Sequence, residues 1–171
     1  MSKVSITKSR SVDDTVSNKG IHGYVTVQVY RHLTGQWEMI DQYHPNLLTT
    51  EGRDFFHAQV YTNTSAGTRG GGFLALTTDA AAAAAGDTVL ASEITTNGLA
   101  RADATTKNHT DNSNTTLIEH EWTATGTHTS VQKVGMFNAS SSGILTHEGT
   151  FTAASLISGD KLKVSYTVNL G

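Results

Sequence analysis

The sequence predicts an all-β, mainly antiparallel sandwich or partly closed barrel with one or two short helices, and three observations carry that expectation. The run Lys161 to Leu170 alternates without a break: Leu162, Val164, Tyr166, Val168 and Leu170 share one face, and Lys161, Lys163, Ser165, Thr167 and Asn169 share the other. That period of two is the signature of a strand with one dry and one wet side. From Leu99 onward, short apolar-spaced runs recur with turn residues between them, as sandwiches and barrels require. The composition leans on Thr, Ser, Asn, Gly and Ala with a single proline, which suits strands and tight turns better than long helices.

Taken in order, residues 1–20 carry Lys3, Lys8, Arg10 and Lys19 against Asp13 and Asp14 with few large apolar groups. Little there offsets the entropy of ordering, so an extended arm is expected. From Gly23, Val25, Val27 and Val29 fall on one face and Tyr24, Thr26, Gln28 and Tyr30 on the other, a strand. "LTGQ" then supplies a glycine turn, and Trp37 to Tyr43 return as the hairpin partner until Pro45 ends the pairing.

"LLTTEGRDFFHAQVYTNT" is expected to hold a helix of about three turns at most, capped by Thr49 or Thr50, with Glu51 in its first turn and Gly52 weakening it by about 1 kcal/mol relative to alanine. A Gly/Ser/Thr loop leads to the apolar strand "FLALT". The tract Ala80–Ala85 is too short for an independent helix, and Leu90 and Ile94, four apart, suggest one further helical turn closed by Asn97-Gly98. Strands follow in "LARADATTKNH", "TTLIEHEWTATGT", "SVQKVGMFNA", "GILTHEGTF" and "DKLKVSYTVNL". The expected organisation is an arm over residues 1–20 and one sandwich domain over 21–171.

A chain of 171 residues is long enough to bury roughly 70% of its unfolded surface, so neither metal nor disulfide is needed for folding. Cysteine is absent, which removes thiol catalysis, thiolate metal sites and disulfides and fits a reducing compartment. The polar start lacks the apolar run of a signal peptide. The alanine tract is far short of the roughly 20 apolar residues that cross a bilayer. No membrane association is expected. A formal net charge of −3 gives no field to attract nucleic acid or an anionic surface.

Candidate chemistry is sparse. In "IEHEW", Glu119 and Glu121 share a wet face, while His120 points inward with Ile118 and Trp122. No metal-ligand spacing accompanies it. Asp54 and His57 lie three apart on the helix with Ser65 nearby, but no nucleophile elbow exists. Arg69 beside three glycines lacks the continuation of a phosphate loop. Asn63, Asn108, Asn114 and Asn138 open N-x-[ST] triplets, which without a secretion route mark polar loops. Neither a catalytic residue, nor a metal site, nor a cofactor is expected. A structural or recognition role outweighs catalysis.

In "LLTTEGRDFF", "SEITTNGLAR", "WTATGT", "VGMFNASSSGILTHEGTF" and "LISGDKLKVSYTVNLG" the chain resembles a group of small virion proteins of tailed bacteriophages, from about Leu47 to Gly171. Trp122 stands where phenylalanine is expected before "TATGT". The resemblance implies a jelly-roll-like sandwich, a homotrimer, and a head decoration (cement) protein bound to the major capsid protein on the outer shell of the virion and made in the host cytoplasm. Lys3, Lys8 and Arg10 are the candidate shell contacts of the arm. The alternatives are a tail or tail-fibre component with a receptor-binding role, and an enzyme using Glu119 and Glu121 on a surface polymer.

Overall fold

The structure is a computed structural model that describes residues 21–57, 70–110, 113 and 115–170. It contains β1 (Ile21–Arg31), β2 (Gln36–Pro45), β3 (Leu47–Leu48), α1 (Thr50–His57), β4 (Phe73–Thr77), β5 (Ala102–Asp103), β6 (Thr106–His109), β7 (Thr115–Thr123), β8 (His128–Phe137), β9 (Leu145–Leu156) and β10 (Lys161–Leu170). These strands form two five-stranded sheets, ordered β2-β1-β10-β7-β6 and β3-β9-β8-β4-β5, with every pairing antiparallel. The chain is an all-β sandwich, crossing between the sheets after β2, β5, β7 and β9.

The alternation in β1 and β10 sets the core. Val25, Val27 and Val29 lie opposite Tyr166, Val164 and Leu162 in strict register, and all six are fully buried. Ile118 and Trp122 of β7 extend this face, and Leu74, Leu76, Val134, Met136, Phe151 and Leu156 meet it from the second sheet. Burying each such side chain contributes about 1.5–3 kcal/mol.

The run "FLALT" is buried at every position because its two faces serve two cores. Leu74 and Leu76 enter the central core, whereas Phe73 and Ala75 join Leu90, Phe137 and Leu145 in a second cluster on the other face of the sheet. That cluster is roofed by the segment 78–101. Leu90 and Ile94 therefore do not form the helical turn that their spacing suggests. Ile94 donates its N–H to Leu76 O at 2.8 Å and Glu93 bridges to Thr77, so the segment runs along β4 instead. The alanine tract has no helix either: Ala81 donates to Asp79 and Ala84 to Asp87 within turns of its own.

α1 is placed by its cap. Thr49 Oγ1 accepts from Gly52 N–H at 3.0 Å and donates to Leu145 O at 2.5 Å, which joins the helix start to β9. A Cβ on Gly52 would lie 2.1 Å from Thr146 O. The glycine that weakens the helix is what allows it to rest directly on strand backbone.

Candidate functional site

One end of the sandwich brings together two turns. Between β1 and β2, residues Arg31 to Gly35 reverse the chain with Gly35 at φ 65° and its N–H bonded to Arg31 O. Between β9 and β10, Gly159 at φ 93° and the Asp160 N–H bond to Ile157 O make the second turn. The Asp160 carboxylate, almost fully buried, locks the two together. It accepts from His32 N–H at 3.1 Å, from Ile157 N–H at 3.2 Å and from Arg31 Nη1 at 3.3 Å, and His32 Nδ1 lies 3.1 Å away. Burial pushes this carboxyl up, but the hydrogen bonds from His32, Ile157 and Arg31 outweigh it and hold it below the usual range.

Among the residues that these turns display, two are large and apolar. Leu33 is 77% exposed and Ile157 42% exposed, and they line a cleft of about 310 Å³ with Arg31, His128, Leu156 and Asp160. Further large apolar side chains, Trp37, Met39 and Tyr43, are exposed on β2, the edge strand of the first sheet. Trp37 packs beside Tyr30, its partner in register, with ring centroids 5.5 Å apart, and Tyr43 meets Tyr24 edge-on at 6.5 Å. Side chains of this hairpin also cover the edge of β9: Asp41 Oδ2 accepts from Thr152 N–H at 3.1 Å and Arg31 Nη1 donates to Ser155 O at 2.6 Å. The turns and this edge strand thus expose several large apolar groups interspersed with polar ones, as interaction faces do.

The residues singled out in sequence take other positions. Glu119 and Glu121 lie toward the solvent face of the first sheet and are ion-paired, Glu119 with Lys163 at 3.0 Å and Glu121 with Lys161 at 2.7 Å. Ser165 also donates to Glu119 at 2.5 Å. His120 is half-buried rather than enclosed. Its ring meets Trp122 at 4.6 Å, Nδ1 has no hydrogen-bond partner among the described residues, and burial pushes its pKa down against the pull of Asp103. Asn138 is a buried turn anchor whose Oδ1 accepts from Ile144 N–H at 2.7 Å. Lys3, Lys8, Arg10, Asn63, Ser65, Arg69 and Asn114 lie outside the described residues, as do the side chains of Asp54 and His57.

Among the described residues no group of three His, Asp or Glu is arranged to hold a metal, and no helix is long and apolar enough to cross a membrane. Sequence reading passed over His147 and Glu148, both 1% exposed. His147 adjoins a second cleft, of about 220 Å³, with Met136, Ile118 and Val168. Its Nδ1 faces Thr146 Oγ1 at 3.2 Å, its Nε2 has no partner among the described residues, and burial lowers its pKa to about 4. The signal for this pair was a His-Glu dipeptide inside an apolar-spaced strand.

The chain matches no protein-family model, no curated protein and no solved structure.

Proposed function

We propose that the chain is a bacteriophage head decoration protein, a homotrimer of jelly-roll kind that binds the major capsid protein on the outer surface of the shell and stabilises it. The observation that carries this reading is the set of exposed apolar groups Leu33, Ile157, Trp37 and Met39, the first two on turns that the buried Asp160 holds together. Pre-ordered apolar groups bind without a large entropic loss on docking. The sequence motifs that resemble small phage virion proteins supply the particle, and the pairing of Glu119 and Glu121 with lysines speaks for a structural role over hydrolysis.

A cement protein acts by linkage: it binds the assembled shell and not its separated subunits, so each occupied site raises the free energy of disassembly. Many symmetric copies let modest contacts add. The arm with Lys3, Lys8 and Arg10 extends the contact in this reading. Deleting residues 1–20 then lowers occupancy while the sandwich stays folded.

Copy number per purified particle, measured by quantitative mass spectrometry against the major shell protein, tests the assignment. A near-stoichiometric ratio supports decoration. A handful of copies rejects it in favour of a tail component, for which the exposed Tyr43 and Trp37 provide a receptor-binding face.

A further inference from the structure

We propose that Glu148 and Asp87 share one proton, and that this proton fastens the segment Ala80–Asp87 onto the outer face of the second sheet and frees the segment when it is lost. The inference does not depend on the decoration reading.

The geometry centres on one backbone nitrogen. Ala84 N–H lies 3.0 Å from Asp87 Oδ2 and 3.0 Å from Glu148 Oε1. A single donor shared by two acceptors sets the two carboxyl groups beside each other. Two ionised carboxylates so placed repel each other, and a proton held by one of them removes the repulsion and lets it donate to the other. Glu148 is the buried member and rises from the second sheet, whereas Asp87 belongs to the segment. The shared proton therefore joins strand to segment.

The surroundings identify Glu148 as the holder. Burial, then the neighbouring Asp87, pushes the Glu148 carboxyl up to about 7. The bonds from Glu148 and from Ala84 N–H hold Asp87 below its usual range. From β8 comes Lys133, 3% exposed, but its Nζ is paired with Asp79 Oδ2 at 2.7 Å, so it only partly offsets a charge on Glu148. β3 contributes Leu47 opposite Glu148 and no charge. In α1 the described charged side chain is Glu51, which is exposed. Asp41 and His44 of β2 engage Thr152 and Thr150. Tyr166 and His147 belong to the central core, His147 with its ring against Tyr166.

Loss of the proton to solvent leaves two carboxylates side by side at a nitrogen that can satisfy only one of them well. Among the described residues, Lys133 to Asp79 and the Thr50 N–H to Ala85 O bond of 2.7 Å also tie the tract to the body. The sign follows from the raised value. The proton's contribution is complete below the ordinary glutamate value of 4.5 and disappears as pH rises through about 7.

Amide hydrogen exchange by NMR on the full chain tests this, with intrinsic rates corrected for pH. Between about pH 5.5 and pH 8.5, Ala84 is expected to lose about tenfold or more of its protection while Val134 keeps its own. Glu148→Gln, which donates to Asp87 permanently, is expected to hold Ala84 protection constant. Unchanged wild-type protection overturns the proposal, as does a Glu148→Gln chain that still follows pH. A carboxyl carbon titration of the wild type needs no variant: a Glu148 midpoint near 7 supports the shared proton, and a midpoint at the ordinary value of 4.5 sinks it.

Discussion

His32 donates its backbone N–H to Asp160 Oδ1 at 3.1 Å, so the turn that displays Leu33 is held by a carboxylate from the turn that displays Ile157. Sequence distance between the partners is 128 residues, yet the bond joins the β1–β2 turn to the β9–β10 turn.

Asp160→Ala orphans the N–H groups of His32 and Ile157 and the Arg31 guanidinium. Unfolding in urea is expected to show a loss of about 1–3 kcal/mol. Because hydrogen bonds keep the wild-type carboxyl below its ordinary 3.8, its contribution is present above that value and vanishes as pH falls below it. The substituted chain should lack this part of the acid dependence. An equal acid limb in both chains would remove the lock from the account.

Gly52→Ala separates helix propensity from packing. Propensity alone predicts a gain of about 1 kcal/mol. The contact of 2.1 Å between a new Cβ and Thr146 O predicts the opposite, because α1 must move off β9. Thermal unfolding is expected to show destabilisation of about 1–3 kcal/mol.

Arg101 joins the roof segment to the β8–β9 loop. Its Nε and Nη2 bond Glu93 at 2.9 and 2.5 Å, Nη1 reaches Ala139 O and Ser142 O, and the guanidinium lies 3.5 Å from the centre of the Phe137 ring. Lysine cannot reproduce this fork or its stacking. Arg101→Lys should cost about 1–3 kcal/mol in chemical denaturation, and exchange at Ile94 should quicken with it.

His147 and Glu148 are predicted to drive stability in opposite directions with pH. Burial holds His147 at about 4, so its neutral form favours folding above the ordinary 6.5 and that advantage fades as pH falls through about 4. Glu148 stabilises increasingly as pH falls from about 7 toward 4.5. The two slopes oppose each other in the wild type. Glu148→Gln should expose a loss of stability on acidification, and His147→Leu a gain, when denaturation midpoints are compared across that window.

The strands were legible because period-two alternation survives wherever one face is wet, as in β1 and β10. The helical turn at Leu90–Ile94 was misread because a spacing of four also fits a segment that drops Leu90 into a second core and bonds Ile94 to Leu76. Nothing local announces that core; it exists because β4 is apolar on both faces. Of the exposed apolar groups, Trp37 and Met39 were visible only as hairpin residues. Their exposure depends on β2 lying at the sheet edge. The roles of Asp160, Lys133, Asp87 and Glu148 arise from contacts across long stretches of chain, for example 54 residues between Lys133 and Asp79, and no local pattern encodes those.

The central claim is tested most directly by the occupancy of the purified chain on shells from which it has been removed, comparing wild type with a Leu33→Ser, Ile157→Ser double variant. Both positions are exposed and outside the cores, so the melting temperature should stay the same. The account predicts that occupancy of the double variant falls at least about tenfold. Occupancy equal to wild type, with the fold intact, would contradict the assignment of this surface.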